Sequence, residues 1–113
     1  MHELSIAQSI LETVEQEAAK HDGRRVVRIG LRIGEISGVD PDALSFSFEV
    51  ITRGTRLEQA ALDIERVPLA YRCAECGREF PVVNYEIACP ACGGLETRPV
   101  GGDELAIAYL ELE

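Results

Sequence analysis

At 113 residues with 46% hydrophobic side chains, the chain has material for one small domain and a satellite, which excludes disorder as its general condition. Twenty acidic against eleven basic side chains leave a formal charge of −9, a balance that repels phosphate backbones and counts against nucleic acid as a partner. No apolar run approaches the roughly eighteen residues of a membrane span, and no basic-led hydrophobic leader opens the chain, so a soluble cytoplasmic protein with reduced cysteines is expected.

From Glu3 to His21 the apolar residues Leu4, Ala7, Ile10, Leu11, Val14 and Ala18 recur at three- and four-residue steps, one face of a helix that Gly23 would close. Val27, Ile29, Leu31 and Ile33 then alternate with Arg28, Gly30, Arg32 and Gly34, the period of a strand with one buried face. Asp40 suits an N-cap and Pro41 a first helical position, with Leu44, Phe48 and Ile51 as the apolar edge of a second helix that Gly54 stops. Leu62 to Arg66 reads as a strand. Glu104 to Glu113 reads as a last strand, apolar on both faces.

This order predicts an α+β fold: a small sheet of about three strands with two helices packed on one face, and a zinc-ribbon-like module inserted before the last strand. The boundaries fall near Pro68 and Gly101-Gly102. Residues 1–68 and 101–113 would form one domain and residues 69–100 a zinc-binding one, with the glycine pair as a joint between them.

The inserted segment carries every cysteine of the chain, as Cys73-Ala-Glu-Cys76-Gly77 and Cys89-Pro-Ala-Cys92-Gly93-Gly94. A two-residue spacer lets both thiolates of a loop turn toward one ion, and the following glycines can take positive φ so that backbone N–H groups face the sulfurs. The pattern reads as one tetrahedral zinc site; disulfides and a thiol redox pair are competing uses that do not predict two matched knuckles. Four cysteines leave no coordination position for water, so the zinc is structural rather than hydrolytic. Leu69, Tyr71, Phe80, Val82, Val83, Tyr85, Ile87 and Leu95 are too few for an independent core, so metal binding must supply folding energy there. Many zinc ribbons bind nucleic acid, but this one offers only Arg72, Arg78 and Arg98 and no basic stripe.

A second metal feature opens the chain. Met1-His2-Glu3 places an imidazole one residue from an α-amino group, and amine, deprotonated backbone nitrogen and His2 ring can close adjacent chelate rings in one plane. Square-planar nitrogen ligation favours Ni(II) or Cu(II). The fourth ligand is open between the Glu3 backbone nitrogen, the carboxylates of Glu3 or Asp40, and His21. Alone the signal is weak, because a histidine near a chain terminus is ordinarily just solvated. Asp40 is explained as a helix cap without any metal, and His21 as a charge at a helix C-terminus. Phe46, Phe48, Tyr71 and Phe80 are too few and too scattered for base stacking and are expected mostly in the core; Glu12, Glu15 and Glu17 are most simply a solvated helix face, with docking of a basic partner surface as the alternative. Neither a phosphate-cradling glycine loop nor a catalytic triad pattern is present.

Met1-His2-Glu3-Leu4-Ser5-Ile6 at the start, Ile29-Gly30-Leu31-Arg32-Ile33-Gly34 with Glu35, and the late Cys-x-x-Cys pairs together resemble the HypA/HybF hydrogenase maturation factors over essentially the whole chain. The resemblance implies a nickel metallochaperone, not an enzyme, that delivers Ni(II) to the large subunit of a [NiFe] hydrogenase and in some relatives also serves urease maturation. It implies a HypB-type GTPase as partner, no nucleic acid or membrane, and a monomer or homodimer. His2 would be the key nickel ligand, with Met1 as terminal amine, Glu3 adjacent and Asp40 a more distant neighbour. Cys73, Cys76, Cys89 and Cys92 would hold the structural zinc. The readings left beside it are a zinc-ribbon adaptor for nucleic acid or protein, and a thiol redox enzyme.

Overall fold

The apolar spacing of the first helix and the alternation of the strand after it are both realised. The computed structural model describes residues 2–113, as α1 (Glu3–Ala19), β1 (Val26–Gly34), α2 (Pro41–Thr52), β2 (Ala61–Val67), β3 (Ala70–Cys73), β4 (Glu79–Pro81), β5 (Thr97–Gly101) and β6 (Leu105–Leu112). Two three-stranded sheets result, in the orders β2-β1-β6 and β4-β3-β5. The second sheet is built from the inserted segment, expected as a zinc-ribbon-like module whose individual strands were not assigned. Its strands are three to five residues long, too short to show a period. The α+β class, the two helices and the first sheet stand as expected.

The chain divides into two units. One takes the residues up to Arg32, Val39–Glu65 and Ala106–Glu113, and the other takes Ile33–Gly38 and Arg66–Leu105.

In the first unit α1 lies against α2, and Ile6, Ala7, Ile10, Val14 and Ala18 of α1 are buried with Ile29 and Leu31 of β1 and Leu44 and Phe48 of α2. Helix α1 ends at Ala19, two residues earlier than expected. Lys20 N–H donates to Glu17 O (3.1 Å) and His21 N–H to Ala18 O (3.0 Å), tightening the last turn, and Asp22 and Gly23 then both take positive φ. Leu4, expected on the buried face, is 47% exposed.

The face of β1 that carries the arginines is covered in part. The ring of Tyr109 lies over Gly30, where a Cβ would sit 2.0 Å from a ring carbon, and the phenol donates a hydrogen bond to Asp63. Arg28 pairs with Glu111 (3.0 Å) and Arg32 with Glu65 (3.4 Å) on either side of it. Being exposed, these pairs fix register more than they stabilise. The apolar character of β6 on both faces does not reflect a central strand: β6 is an edge, with Leu105 and Tyr109 two-fifths exposed.

In the second unit, β3 pairs antiparallel with β4 (Tyr71 opposite Phe80) and with β5 (Cys73 opposite Thr97). The buried cluster there is Cys73, Phe80 and Cys89, with Tyr71 and Val82 against it; Val83, Tyr85, Ile87 and Leu95 are exposed. Of the glycine pair read as a joint, one residue belongs to a strand and the other is closely approached by backbone. Gly101 sits in β5 opposite Ala70, and a Cβ on Gly102 would come 2.7 Å from the Leu69 Cα. A Cβ on Gly34 would meet the Gly102 carbonyl at 2.1 Å, so Gly34 is required by close backbone approach.

Candidate functional site

Each Cys-x-x-Cys-Gly stretch folds into the same turn. In the first, Gly77 N–H donates to Cys73 O (2.9 Å) and Cys73 N–H to Arg78 O (2.9 Å); in the second, Gly93 N–H donates to Cys89 O (2.8 Å) and Cys89 N–H to Gly94 O (2.9 Å). Gly77 and Gly93 sit at φ of 77° and 75°, where a side chain would be strained. The two turns face each other, and the four sulfurs lie within 4.8 Å of one another. The Cys73–Cys92 and Cys76–Cys89 sulfurs are each 3.6 Å apart. A disulfide needs about 2.05 Å. A tetrahedral zinc ion with bonds of about 2.3 Å separates its sulfurs by about 3.8 Å. The cluster therefore has the dimensions of a metal site rather than of two disulfides, and four-thiolate chemistry fits structural zinc.

Backbone donors surround the sulfurs as the glycine spacing suggested. The N–H of Arg78 points to Cys76, those of Cys92 and Ala91 to Cys89, and that of Gly94 to Cys92. Burial opposes ionisation of Cys89, but its two N–H donors and the neighbouring thiols outweigh this and lower it to about 7. At Cys92 the Gly94 N–H favours the thiolate, yet the hydrogen bond with Cys73 and desolvation push the thiol up to about 12. The Cys89 thiolate thus forms readily, while the Cys76 and Cys92 thiols are held up, the proton-release behaviour of a metal site. Cys73 and Cys89 are buried, whereas Cys76 and Cys92 are exposed. The donors Ala91 and Arg78 carry no sequence signal, because any residue supplies an N–H there.

At the start of the chain, His2 is the N-cap of α1, with φ −78° and ψ 148°. Its carbonyl accepts from Ile6 N–H (3.1 Å), but its imidazole makes no capping bond and is exposed. Glu3 occupies the first helical position, and its Oε2 accepts from Asp40 N–H at 3.4 Å. Asp40 in turn caps α2: its Oδ1 accepts from Asp42 N–H (2.9 Å) and Ala43 N–H (3.3 Å). The fold thus brings His2, Glu3 and Asp40, distant in sequence, to one end of the helix pair. Among the described residues these three do not form a side-chain cluster able to grip one ion; only the four cysteines do. Met1, whose amine completes the expected chelate, lies outside the described residues.

His21 follows α1 at its far end. Seventeen helical residues separate it from His2 by about 25 Å. It is exposed beside Glu17, Tyr109 and Leu110 and cannot share an ion with His2 in this fold. Phe48 and Phe80 are buried and Tyr71 half-buried, as expected for core aromatics, but Phe46 is 67% exposed. The phase of α2 turns Phe46 outward. Leu44, Phe48 and Thr52, four residues apart, face inward, and Phe46, two residues out of phase, faces solvent.

The closed four-cysteine centre in one unit marks a small metal-handling protein, and an exposed histidine stands at the first helix of the other unit. The family whose model is described as hydrogenase/urease nickel incorporation, metallochaperone, matches residues 1–112. Hydrogenase maturation factor HypA of Geobacter metallireducens is 52% identical and that of Geobacter sulfurreducens 47% identical, each with all of both chains covered. The solution structure of the Ni metallochaperone HypA from Helicobacter pylori superposes with a TM-score of 0.66 at 26% identity, covering 99% of this chain and 97% of that one. The chain belongs to the HypA family. It is accordingly a nickel metallochaperone-family protein and not an enzyme, which sets aside the thiol redox reading. No helix among the described residues is long and apolar enough to cross a membrane.

Proposed function

We propose that this chain binds Ni(II) at its N-terminus through the Met1 amine and the His2 ring and backbone nitrogens, and delivers it in the cytoplasm for maturation of a [NiFe] hydrogenase, with urease as a second client. Glu3 supplies the fourth position through its backbone nitrogen or carboxylate. Asp40 acts next to it, its carboxylate being engaged as a cap. Nickel handling belongs to residues 1–68 and 101–113, and Cys73, Cys76, Cys89 and Cys92 hold a structural zinc within 69–100. A HypB-type GTPase and the hydrogenase large subunit are the partners.

The observation that carries this reading is the position of α1. Because the helix begins at Glu3 with His2 as N-cap, the N–H groups of both residues belong to the first turn, which has no intrahelical acceptors. Their deprotonation onto a metal breaks no helical hydrogen bond. A square-planar chelate can form and dissolve there without unfolding anything, as a carrier requires. Amine, backbone nitrogen and imidazole must all lose protons to bind, so nickel affinity falls as the pH is lowered.

The test is Ni(II) titration of the zinc-loaded protein with a native, untagged N-terminus, beside His2→Ala, followed by calorimetry and absorption spectroscopy. One saturable low-spin planar site that vanishes in the variant while zinc stays bound is the expected result. Equal binding by both proteins, or an affinity indifferent to pH, removes the N-terminal chelate.

A further inference from the structure

Basic side chains are the minority in this acidic chain, yet three of its eleven line a single cavity of about 470 Å³ in the first unit. The floor of that cavity is apolar and buried: Ala18 near the end of α1, Val26 at the start of β1 and Leu57 after α2. Its cations are Arg24 and Arg25, on the way into β1, and Arg56, beside Leu57. Glu15 is the one carboxylate in the lining.

The way each guanidinium is held sets them apart. Arg25 is paired with the Glu113 carboxylate, which balances its charge. Arg24 donates from Nε to the Glu113 backbone carbonyl (3.2 Å), and Arg56 from Nη2 to the Gly23 carbonyl (2.9 Å). A carbonyl fixes a guanidinium in place without cancelling its charge. Gly23 stands at φ +71°, and a Cβ there would lie 3.4 Å from the Arg56 Nη2, so the turn after α1 and this arginine are built against one another. Both Nη groups of Arg24, and the Nε and Nη1 of Arg56, lie outside these bonds.

We infer that this cavity is a binding site for a small monocarboxylate with an apolar chain, its head forked between Arg24 and Arg56 and its body over Ala18, Val26 and Leu57. Planar guanidinium groups match a carboxylate through paired N–H donors, and an apolar floor favours a ligand with a hydrocarbon body over a bare ion. Glu15 sets the charge of the head, since a carboxylate in the wall works against a dianion such as phosphate more than against a single negative charge. The volume falls within the range of small-molecule sites, about 300–1,000 Å³. Three segments far apart in sequence supply the walls, so occupancy ties the end of α1, the entry to β1 and the turn after α2 together and stabilises the first unit by mass action. The site is independent of the N-terminal nickel reading.

The test is an amide NMR titration of the full-length, zinc-loaded, nickel-free chain with 4-methylpentanoate. Acetate, which has the head without the body, 4-methylpentanol, which has the body without the head, and orthophosphate are titrated beside it. Expected is saturable binding of 4-methylpentanoate at about 1 mM or tighter, with shifts centred on Ala18, Val26 and Leu57, and binding of the other three weaker by about tenfold or more. Arg56→Ala and Arg24→Gln should each weaken it about tenfold, and Glu15→Gln should narrow the margin over orthophosphate. Both arginines are exposed, and unchanged urea midpoints separate loss of the ligand site from loss of the fold. Arg56→Lys, which keeps the charge, should recover part of the binding. Absence of saturable binding overturns the proposal, as do shifts centred on the cysteine turns or equal binding by the parent and both arginine variants.

Discussion

The two units solve the problem of a small core in different ways. Around α1 and α2, burial comes from aliphatic side chains on two helices and a strand, with Val14, Ile29, Leu31 and Leu44 almost wholly removed from water. Around β3 to β5 the buried cluster is one phenylalanine and two cysteines. Where the core consists of metal ligands, metal affinity and folding are one free energy, and the ion cannot leave without the fold. Where the core is independent of any metal, a chelate at a helix start can fill and empty at no structural cost. On the proposed function, the contrast separates an ion that is kept from an ion that is carried.

The largest expected effect therefore lies in the cysteine unit. Cys73→Ser, or zinc removal by a strong chelator, should abolish amide-exchange protection across β3 to β5 while α1 and β1 keep theirs, since structural zinc contributes on the order of 10 kcal/mol in small modules. Simultaneous loss of both regions would break the comparison. Next comes the aliphatic core: Leu44→Ala, at a site with no exposure, should cost about 3 kcal/mol in urea unfolding and leave zinc stoichiometry unchanged.

A smaller effect sharpens the role of Asp40. Asp40→Ala should cost about 1 kcal/mol through loss of its two capping bonds, and Asp40→Asn almost nothing. If Asp40→Asn keeps stability but loses nickel affinity, the carboxylate is a ligand as well as a cap. Smallest in stability is His2→Ala, expected within about 0.5 kcal/mol of the parent because the imidazole is exposed and makes no capping bond. Its loss of nickel at constant stability is the sharpest form of the contrast with Cys73→Ser.

Much of this was legible from residue types and spacing. The four cysteines announced their cluster because the chemistry of the ligand is the sequence signal, and the caps at Asp40 and Gly54 were visible because capping is local. The short strands β3 to β5 were not legible, since three to five residues carry no measurable period and their pairing is set by the cysteine turns. Phe46 was misjudged because an aromatic residue in an amphipathic helix is usually inward, and only the phase of Leu44, Phe48 and Thr52 decides otherwise.

By itself the sequence determined what depends on near neighbours along the chain: two helices with their boundaries to within a few residues, the strands flanking them, the metal-binding character of the knuckles and the chelating potential of Met1-His2-Glu3. Tertiary structure alone decided what depends on distant pairs. It brought the Glu3 carboxylate to the Asp40 N–H, thirty-seven residues away, and laid the Tyr109 ring over Gly30. It left Phe46 on the open side of α2. Local preferences act over one turn of backbone, whereas such contacts arise only when burying the shared apolar faces fixes how the elements meet.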